Sequence, residues 1–384
     1  MMKKSNIKKI LILNYEFPPI GGGGGVASKQ LAKGFIKNGY EVDLVTSWMD
    51  GEKRFEKIDG INVHRVQTFG RKEKATASNL SMATYLLFGF FKGVQLGFQN
   101  KYQFINTHFV LPTGPLGWIL SKTFKLKNIL SIHGGDIYDP SLKRSPHRHS
   151  FLVKINNFLL SQANWIVAES SDTKKNAEKY YSFNKEVDLI PLAYEKFNFK
   201  KCSRESLGLE NDKIYLISIG RMVKRKGFEY FVETLAGLPE NICGIILGEG
   251  PEKENLVKLA KKLKVEKRLI LPGFVSEKKK FQYLDNSDVY VLSSLHEGFG
   301  IILQEAMQVG LPIVATNNGG QVDFIKEGRN GFLVNPKKSE LLVEKIKKIL
   351  KNSEIMKKMS VNNKKDIEKF KIEKIAEQYL KLLK

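Results

Sequence analysis

Short apolar runs alternate along the chain with longer stretches in which apolar residues recur every three or four positions. The runs Lys9–Asn14, Val42–Ser47, Phe104–Thr107, Asn128–Ile132, Trp165–Ala168 and Val187–Ile190 predict strands, and Ala27–Asn38 and Phe151–Ser161 between them predict helices. A second series starts after Phe199. It predicts strands at Lys213–Ile219, Ile242–Leu247, Leu269–Leu271, Val289–Leu292 and Ile313–Thr316, with helices at Phe228–Leu238, Lys253–Leu263, Lys278–Asn286 and Ile301–Val309. Strands that alternate with helices build a doubly wound parallel sheet. Two such series therefore predict an α/β chain of two Rossmann-like domains, 1–195 and 196–365, joined near Pro191 to Lys201. The closing stretch, 366–384, spaces Ile367, Phe370, Ile372, Ile375 and Leu380 as an amphipathic helix does.

Composition narrows the class. The chain has 384 residues, 42% hydrophobic and 27% charged, which suits a globular protein with two cores. Two cysteines, Cys202 and Cys243, imply no disulfide framework and fit a reducing, cytoplasmic setting. Met1-Met2-Lys3-Lys4 looks like the start of a signal peptide, but the apolar run Ile10–Leu13 is too short for one and reads as a first strand. Met82 to Phe91 is well short of a bilayer span.

The net charge of +23 admits two partners. Nucleic acid would call for a concentrated basic face, whereas here lysines are spread along both halves and no nucleic-acid-binding motif occurs. An anionic membrane surface suits the pattern better: Arg71-Lys72-Glu73-Lys74 leads into Tyr85-Leu86-Leu87-Phe88-Gly89-Phe90-Phe91-Lys92, aromatics beside lysine as in an interfacial helix. A solvated lysine-rich surface and a helix buried in its domain are the competing readings.

Glu297-Gly298-Phe299-Gly300-Ile301-Ile302-Leu303-Gln304-Glu305 carries the most chemistry. A strand ends before it, two glycines make a tight loop, and a helix opens at Ile301. Backbone N–H groups at a helix start attract phosphate. Carboxylates on both sides would repel it unless they meet neutral hydroxyls, so the segment fits a ligand with phosphates in its middle and hydroxyl-bearing rings at its ends. A nucleotide sugar is such a ligand. Upstream, Arg221 and Lys226 in Gly220-Arg221-Met222-Val223-Lys224-Arg225-Lys226-Gly227 could neutralise a diphosphate as its bond to the sugar breaks; Lys224 and Arg225 read as solvated. No D-x-D metal motif occurs, and no metal site is expected.

These two segments, with Gly310-Leu311-Pro312-Ile313-Val314-Ala315, Asn317-Asn318-Gly319-Gly320 and Gly328-Arg329-Asn330-Gly331-Phe332-Leu333-Val334, resemble in order and spacing the donor-binding half of retaining glycosyltransferases of family 4. Pro18-Pro19-Ile20-Gly21-Gly22-Gly23 and Ile132-His133-Gly134-Gly135-Asp136 add a compatible N-terminal pattern. The resemblance implies a GT-B fold, whose ligands sit between facing domains, the first binding the acceptor and the second the nucleotide sugar, with the terminal helix crossing back to the first. It implies donor-sugar contact by Glu297 and His133, ribose contact by Glu305, and backbone contacts from Gly300, Ile301 and Ile302. Val275, Gly23 and Gly24 complete the expected donor site, the glycines lying in a flexible loop that closes over the reaction centre. Gly22 to Ala27 also spells G-x-G-x-x-A, but Tyr15–Ile20 separates it from the first strand, unlike a dinucleotide fingerprint. Asp323 and Gln304 depart from the family pattern, where a glutamate and an apolar residue are usual. Asp136 is a weaker candidate, and His147 and His149 in Lys143–His149 read as surface residues.

The expectation is a metal-independent transferase that moves a hexose from a nucleotide diphosphate sugar, UDP favoured over GDP, to a sugar or lipid-linked hydroxyl acceptor in polysaccharide or glycolipid synthesis. No cofactor is expected, and the place of action would be the cytoplasm, peripheral on the inner membrane face. A sugar-nucleotide epimerase or hydrolase would need further carboxylates in the first domain. A non-catalytic basic binder would have little need of Glu297, Glu305, Arg221 and Lys226 together.

Overall fold

A computed structural model describes residues 8–71, 73–74, 76–142 and 145–384. Met1–Lys4, Lys72 and Lys143, which entered the readings above, lie outside the described residues. The chain folds into two compact units, Met1–Glu195 with Phe370–Lys384, and Lys196–Lys369.

In the first unit the order is β1 (Lys8–Leu13), α1 (Gly23–Lys37), β2 (Tyr40–Ser47), β3 (Phe55–Ile58), β4 (Ile61–Val66), α2 (Asn79–Gln99), β5 (Tyr102–His108), α3 (Gly114–Phe124), β6 (Lys127–Ile132), α4 (Ser150–Gln162), β7 (Trp165–Ala168), α5 (Ser171–Tyr180) and β8 (Val187–Leu189). Among the described residues the sheet runs β3-β4-β2-β1-β5-β6-β7-β8. Only β3 is antiparallel, a short edge hairpin on β4 whose half-exposed pattern gives no clear strand signal in the sequence. β1 is central, and Ile10, Ile12 and Leu13 are fully buried because both faces are covered. α2 packs on α3 through Gly89, Gly93 and Gly97, where an added Cβ would come within 2.8, 2.3 and 2.4 Å of Leu116, Leu120 and Phe124. That close approach buries one side of α2 and turns the other outward.

The second unit continues with β9 (Ile214–Ile219), α6 (Phe228–Ala236), β10 (Ile242–Leu247), α7 (Lys253–Lys262), β11 (Leu269–Gly273), α8 (Glu277–Asp285), β12 (Val289–Leu292), α9 (Ile301–Val309), β13 (Ile313–Thr316), β14 (Gly331–Val334), α10 (Ser339–Leu350) and α11 (Ser353–Asp366). Its parallel sheet runs β11-β10-β9-β12-β13-β14. The order reverses between β9 and β12, the kind of switch point where open α/β sheets bind ligands at the carboxyl strand ends.

The terminal helix differs from its expectation. Asp366 ends α11, Ile367–Phe370 form a 3-10 turn, and α12 starts at Ile372 and ends at Lys381. Lys371 carries a non-helical ψ of 139°, which breaks the continuous amphipathic pattern in two. α12 belongs to the first unit: Ile372, Ile375, Ala376 and Tyr379 share a core with Phe35 and Leu31 of α1, and Tyr194 exchanges backbone hydrogen bonds with Phe370 and Ile372, 2.7 and 3.0 Å.

Candidate functional site

In the second unit the Glu297 loop leaves β12 and is stitched to two neighbours. Leu295 N–H donates to Arg225 O at 2.8 Å, and Gly320 N–H donates to Glu297 O at 2.9 Å. Gly319 has φ +128°, and a Cβ there would lie 2.0 Å from Glu297 O, so only glycine lets the two loops touch. The segments that follow β9, β12 and β13 thus meet at one sheet edge.

Glu297 is buried, its side chain 7% exposed. Its Oε1 accepts from Lys226 Nζ at 2.5 Å and Ser294 Oγ at 2.7 Å, and Arg225 lies 3.4 Å from Oε2 while donating to His296 O at 2.7 Å. Burial pushes the carboxyl up, but the Lys226 and Arg225 charges outweigh it and hold it down at about 2. Burial lowers Lys226 as well, and Arg225 adds to that, against the attraction of Glu297. Arg225 is therefore not the solvated residue that its lysine-rich context suggested. Arg221 is exposed and has no ion pair or side-chain hydrogen bond among the described residues.

Gly300 is the N-cap of α9, with φ +95°, and no side chain caps the helix, which leaves the N-terminal N–H groups around Ile301 and Ile302 at the same sheet edge. Glu305 stands one turn in, its Oε2 2.7 Å from Lys280 Nζ of α8, which also pairs with Glu277 at 2.7 Å. Burial raises the Glu305 carboxyl, with Lys280 opposing. Lys280 escaped the sequence reading because its partner is on another helix; its i, i+3 relation to Glu277 was the available signal. Val275 is half-buried between β11 and α8, beside Phe274, which is 86% exposed. Gln304, the departure from the family pattern, is 1% exposed inside α9.

In the first unit only Gly21 and Gly22 of the glycine run lie in a loop, so Gly23 and Gly24 are not the loop residues expected. Gly23–Gly25 form the first turn of α1. A Cβ on Gly24 would lie 2.1 Å from the Phe109 ring, so the run serves close approach. Gly22 N–H donates to Glu16 Oε2 at 2.8 Å, which places a carboxylate at that helix start. His133 follows β6 as expected. Its Nδ1 lies 2.9 Å from Glu169 Oε2 and its Nε2 2.8 Å from His108 Nδ1, two partners that sequence reasoning did not find. Asp136 is 7% exposed and accepts the backbone N–H groups of His133 and Val110 at 2.9 and 2.7 Å. His147 is half-buried rather than on the surface, its ring 4.7 Å from both Tyr138 and Tyr180.

The two parallel-sheet units are those of GT-B glycosyltransferases. The sucrose-phosphate synthase of Thermosynechococcus elongatus superposes with a TM-score of 0.84 at 22% identity over 98% of both chains. HepE of Anabaena, in complex with UDP and glucose, does so at 0.77 and 20% identity over 97% of this chain and 98% of that one. An uncharacterized glycosyltransferase of Methanocaldococcus jannaschii is 28% identical over 98% of each chain. Residues 21–195 match the model of Glycosyltransferase Family 4 and residues 199–366 that of Glycosyl transferases group 1. The chain belongs to the family 4 glycosyltransferases, and is a transferase.

Proposed function

We propose that the protein transfers a hexose, with retention of configuration and without a metal ion, from a nucleotide diphosphate sugar to a hydroxyl acceptor in polysaccharide or glycolipid synthesis. The observation that carries this reading is the second unit's sheet edge, where a buried carboxylate, a helix start and two kinds of cation converge. Arg221 and Lys226 hold the diphosphate and stabilise the charge that grows as the glycosidic bond breaks. Ile301 and Ile302 offer N–H groups to phosphate, Glu305 takes ribose hydroxyls with Lys280 fixing its orientation, and Glu297 takes a hydroxyl of the sugar ring. The departing diphosphate, on the face that the acceptor enters, receives the acceptor's proton. UDP is favoured over GDP; the fold likeness to a protein in complex with UDP supports that choice.

The test is incubation with a panel of UDP- and GDP-sugars and a set of acceptors, with and without EDTA, followed by NMR of the product anomer. The expected result is one preferred donor, a retained anomeric configuration and activity in EDTA. An inverted product or a strict need for Mg²⁺ or Mn²⁺ overturns the mechanism, and interconversion of the sugar without transfer would favour an epimerase.

A second reading rests on α2. Leu80, Leu87, Phe91 and Phe98 are 57, 54, 61 and 80% exposed, and their spacing puts them along one line of the helix. Exposed Phe55 adds to the apolar surface, and Phe55, Arg54, Phe91 and Lys92 line one groove of about 520 Å³. No helix among the described residues is long and apolar enough to cross a membrane. The apolar line with cations at its flank supports an interfacial helix on an anionic bilayer, at the inner membrane face, where a lipid-linked acceptor would be met.

A further inference from the structure

The hydrogen bonds around His133 leave little freedom in where the protons sit. Asn106 Nδ2 donates to Ile129 O at 3.2 Å and Ser131 Oγ at 3.0 Å, which fixes the amide and turns Oδ1 toward His108. His108 Nε2 lies 2.9 Å from that oxygen and must donate. Burial, and then the charge on His133, push His108 well below the usual histidine range, so it is neutral and its Nδ1 carries a lone pair. His133 Nε2, 2.8 Å away, must then donate to it. The two rings lie 16° from coplanar with centroids 5.1 Å apart, which aligns an N–H with a lone pair. On the other side, His133 Nδ1 faces the Glu169 carboxylate at 2.9 Å and donates again. A ring that donates from both nitrogens is an imidazolium.

Its surroundings agree. Burial opposes a charge on His133, but Glu169 of the segment after β7, Asp136 of the loop after β6 and Glu16 of the loop after β1 outweigh it and raise the imidazole above its usual value. The Phe109 ring, held at φ +72°, lies 4.7 Å from the His133 ring, within cation–π range. The relay ends on α12, where Ser131 Oγ meets Tyr379 OH at 3.1 Å.

We propose that Glu169 and His108 are positioning residues that hold His133 as an imidazolium, through a relay from Glu169 to Tyr379, and so deny it the role of proton acceptor. His133 then supplies a fixed positive charge, and the acceptor's proton must go elsewhere. That consequence rests on the retaining mechanism proposed above; the protonation state does not.

The test is long-range ¹H–¹⁵N correlation NMR on the full ¹⁵N-labelled chain from about pH 5.5 to 9. The expected result is two protonated nitrogens on His133 past its ordinary titration range, and on His108 a single proton, on Nε2, throughout. In Glu169→Gln, which keeps the hydrogen-bond acceptor and removes the charge, the His133 midpoint falls by about one unit, tenfold in the equilibrium, and Glu169→Asp restores it. A neutral His133 in the wild type overturns the proposal. So does Glu169→Gln that loses turnover with an unmoved His133 midpoint, since that marks a structural role. If Glu169→Gln fails to fold, the wild-type spectrum alone decides. An imidazolium in a chain that proves not to retain configuration refutes the proposed mechanism and leaves the assignment standing.

Discussion

Replacing Lys226 with methionine should destabilise the second unit by about 3 kcal/mol at neutral pH, and that loss should fade in acid. Glu297 titrates at about 2 instead of the ordinary 4.5, a gap worth about 3 kcal/mol at about 1.4 kcal/mol per unit. Breaking a buried pair from one side typically costs about 3–5 kcal/mol. The lower end applies because Arg225 and Ser294 still face the carboxylate, and because methionine is free of the burial cost that lowers Lys226. A depressed carboxyl contributes stability that is complete above its unfolded pKa and lost as pH falls through its folded one. The difference between wild type and Lys226→Met should therefore be full at pH 6–7 and shrink between about 4.5 and 2. Urea unfolding by circular dichroism, with hydrogen exchange on peptides from β9 and β12 to isolate this unit, measures it. In the double variant Lys226→Met, Glu297→Gln, the charge left behind is gone, and most of the loss should be recovered. A destabilisation equal at pH 3 and pH 7, or a double variant no more stable than Lys226→Met, would refute the reasoning.

Arg221, exposed and unpaired among the described residues, is the cleaner probe of the diphosphate role: Arg221→Ala should lower turnover by roughly 10²–10³ with an unchanged melting curve, and near-wild-type turnover removes it from that role. Glu305→Gln should weaken binding of the preferred nucleotide about tenfold or more, the worth of one charged hydrogen bond, as read by calorimetry with UDP and GDP; equal affinity counts against ribose contact. Sedimentation with anionic vesicles should retain the protein at low salt and release it at high salt, and Phe91→Ser with Phe98→Ser should abolish retention. Binding that ignores both salt and these changes rules out the α2 surface.

Strands buried on both faces were legible from the sequence. β7, β10, β12 and β13 begin and end where their apolar runs do, because a parallel strand covered by helices has no polar face and turn residues bound it. The loop from Glu297 and the helix opening at Ile301 were legible for a similar reason, since glycine pairs and a switch of period mark a strand–loop–helix turn locally. The β3–β4 hairpin lacks that contrast, its first strand lying half in solvent at the sheet edge. The glycine run looked like a flexible loop because glycine's freedom is local, whereas the Phe109 ring that makes Gly24 necessary arrives from the segment just after β5. Partnership is where tertiary structure decided. Lys226 finds Glu297 across 71 positions, His133 finds Glu169 across 36 and Ser131 finds Tyr379 across 248. A side chain's charge state depends on its burial and on which charges the fold sets a few ångströms away. Neither quantity is a property of neighbours along the chain, so Arg225 read as solvated, and His133 as a sugar contact without a named partner, until the sheets brought their carboxylates to them.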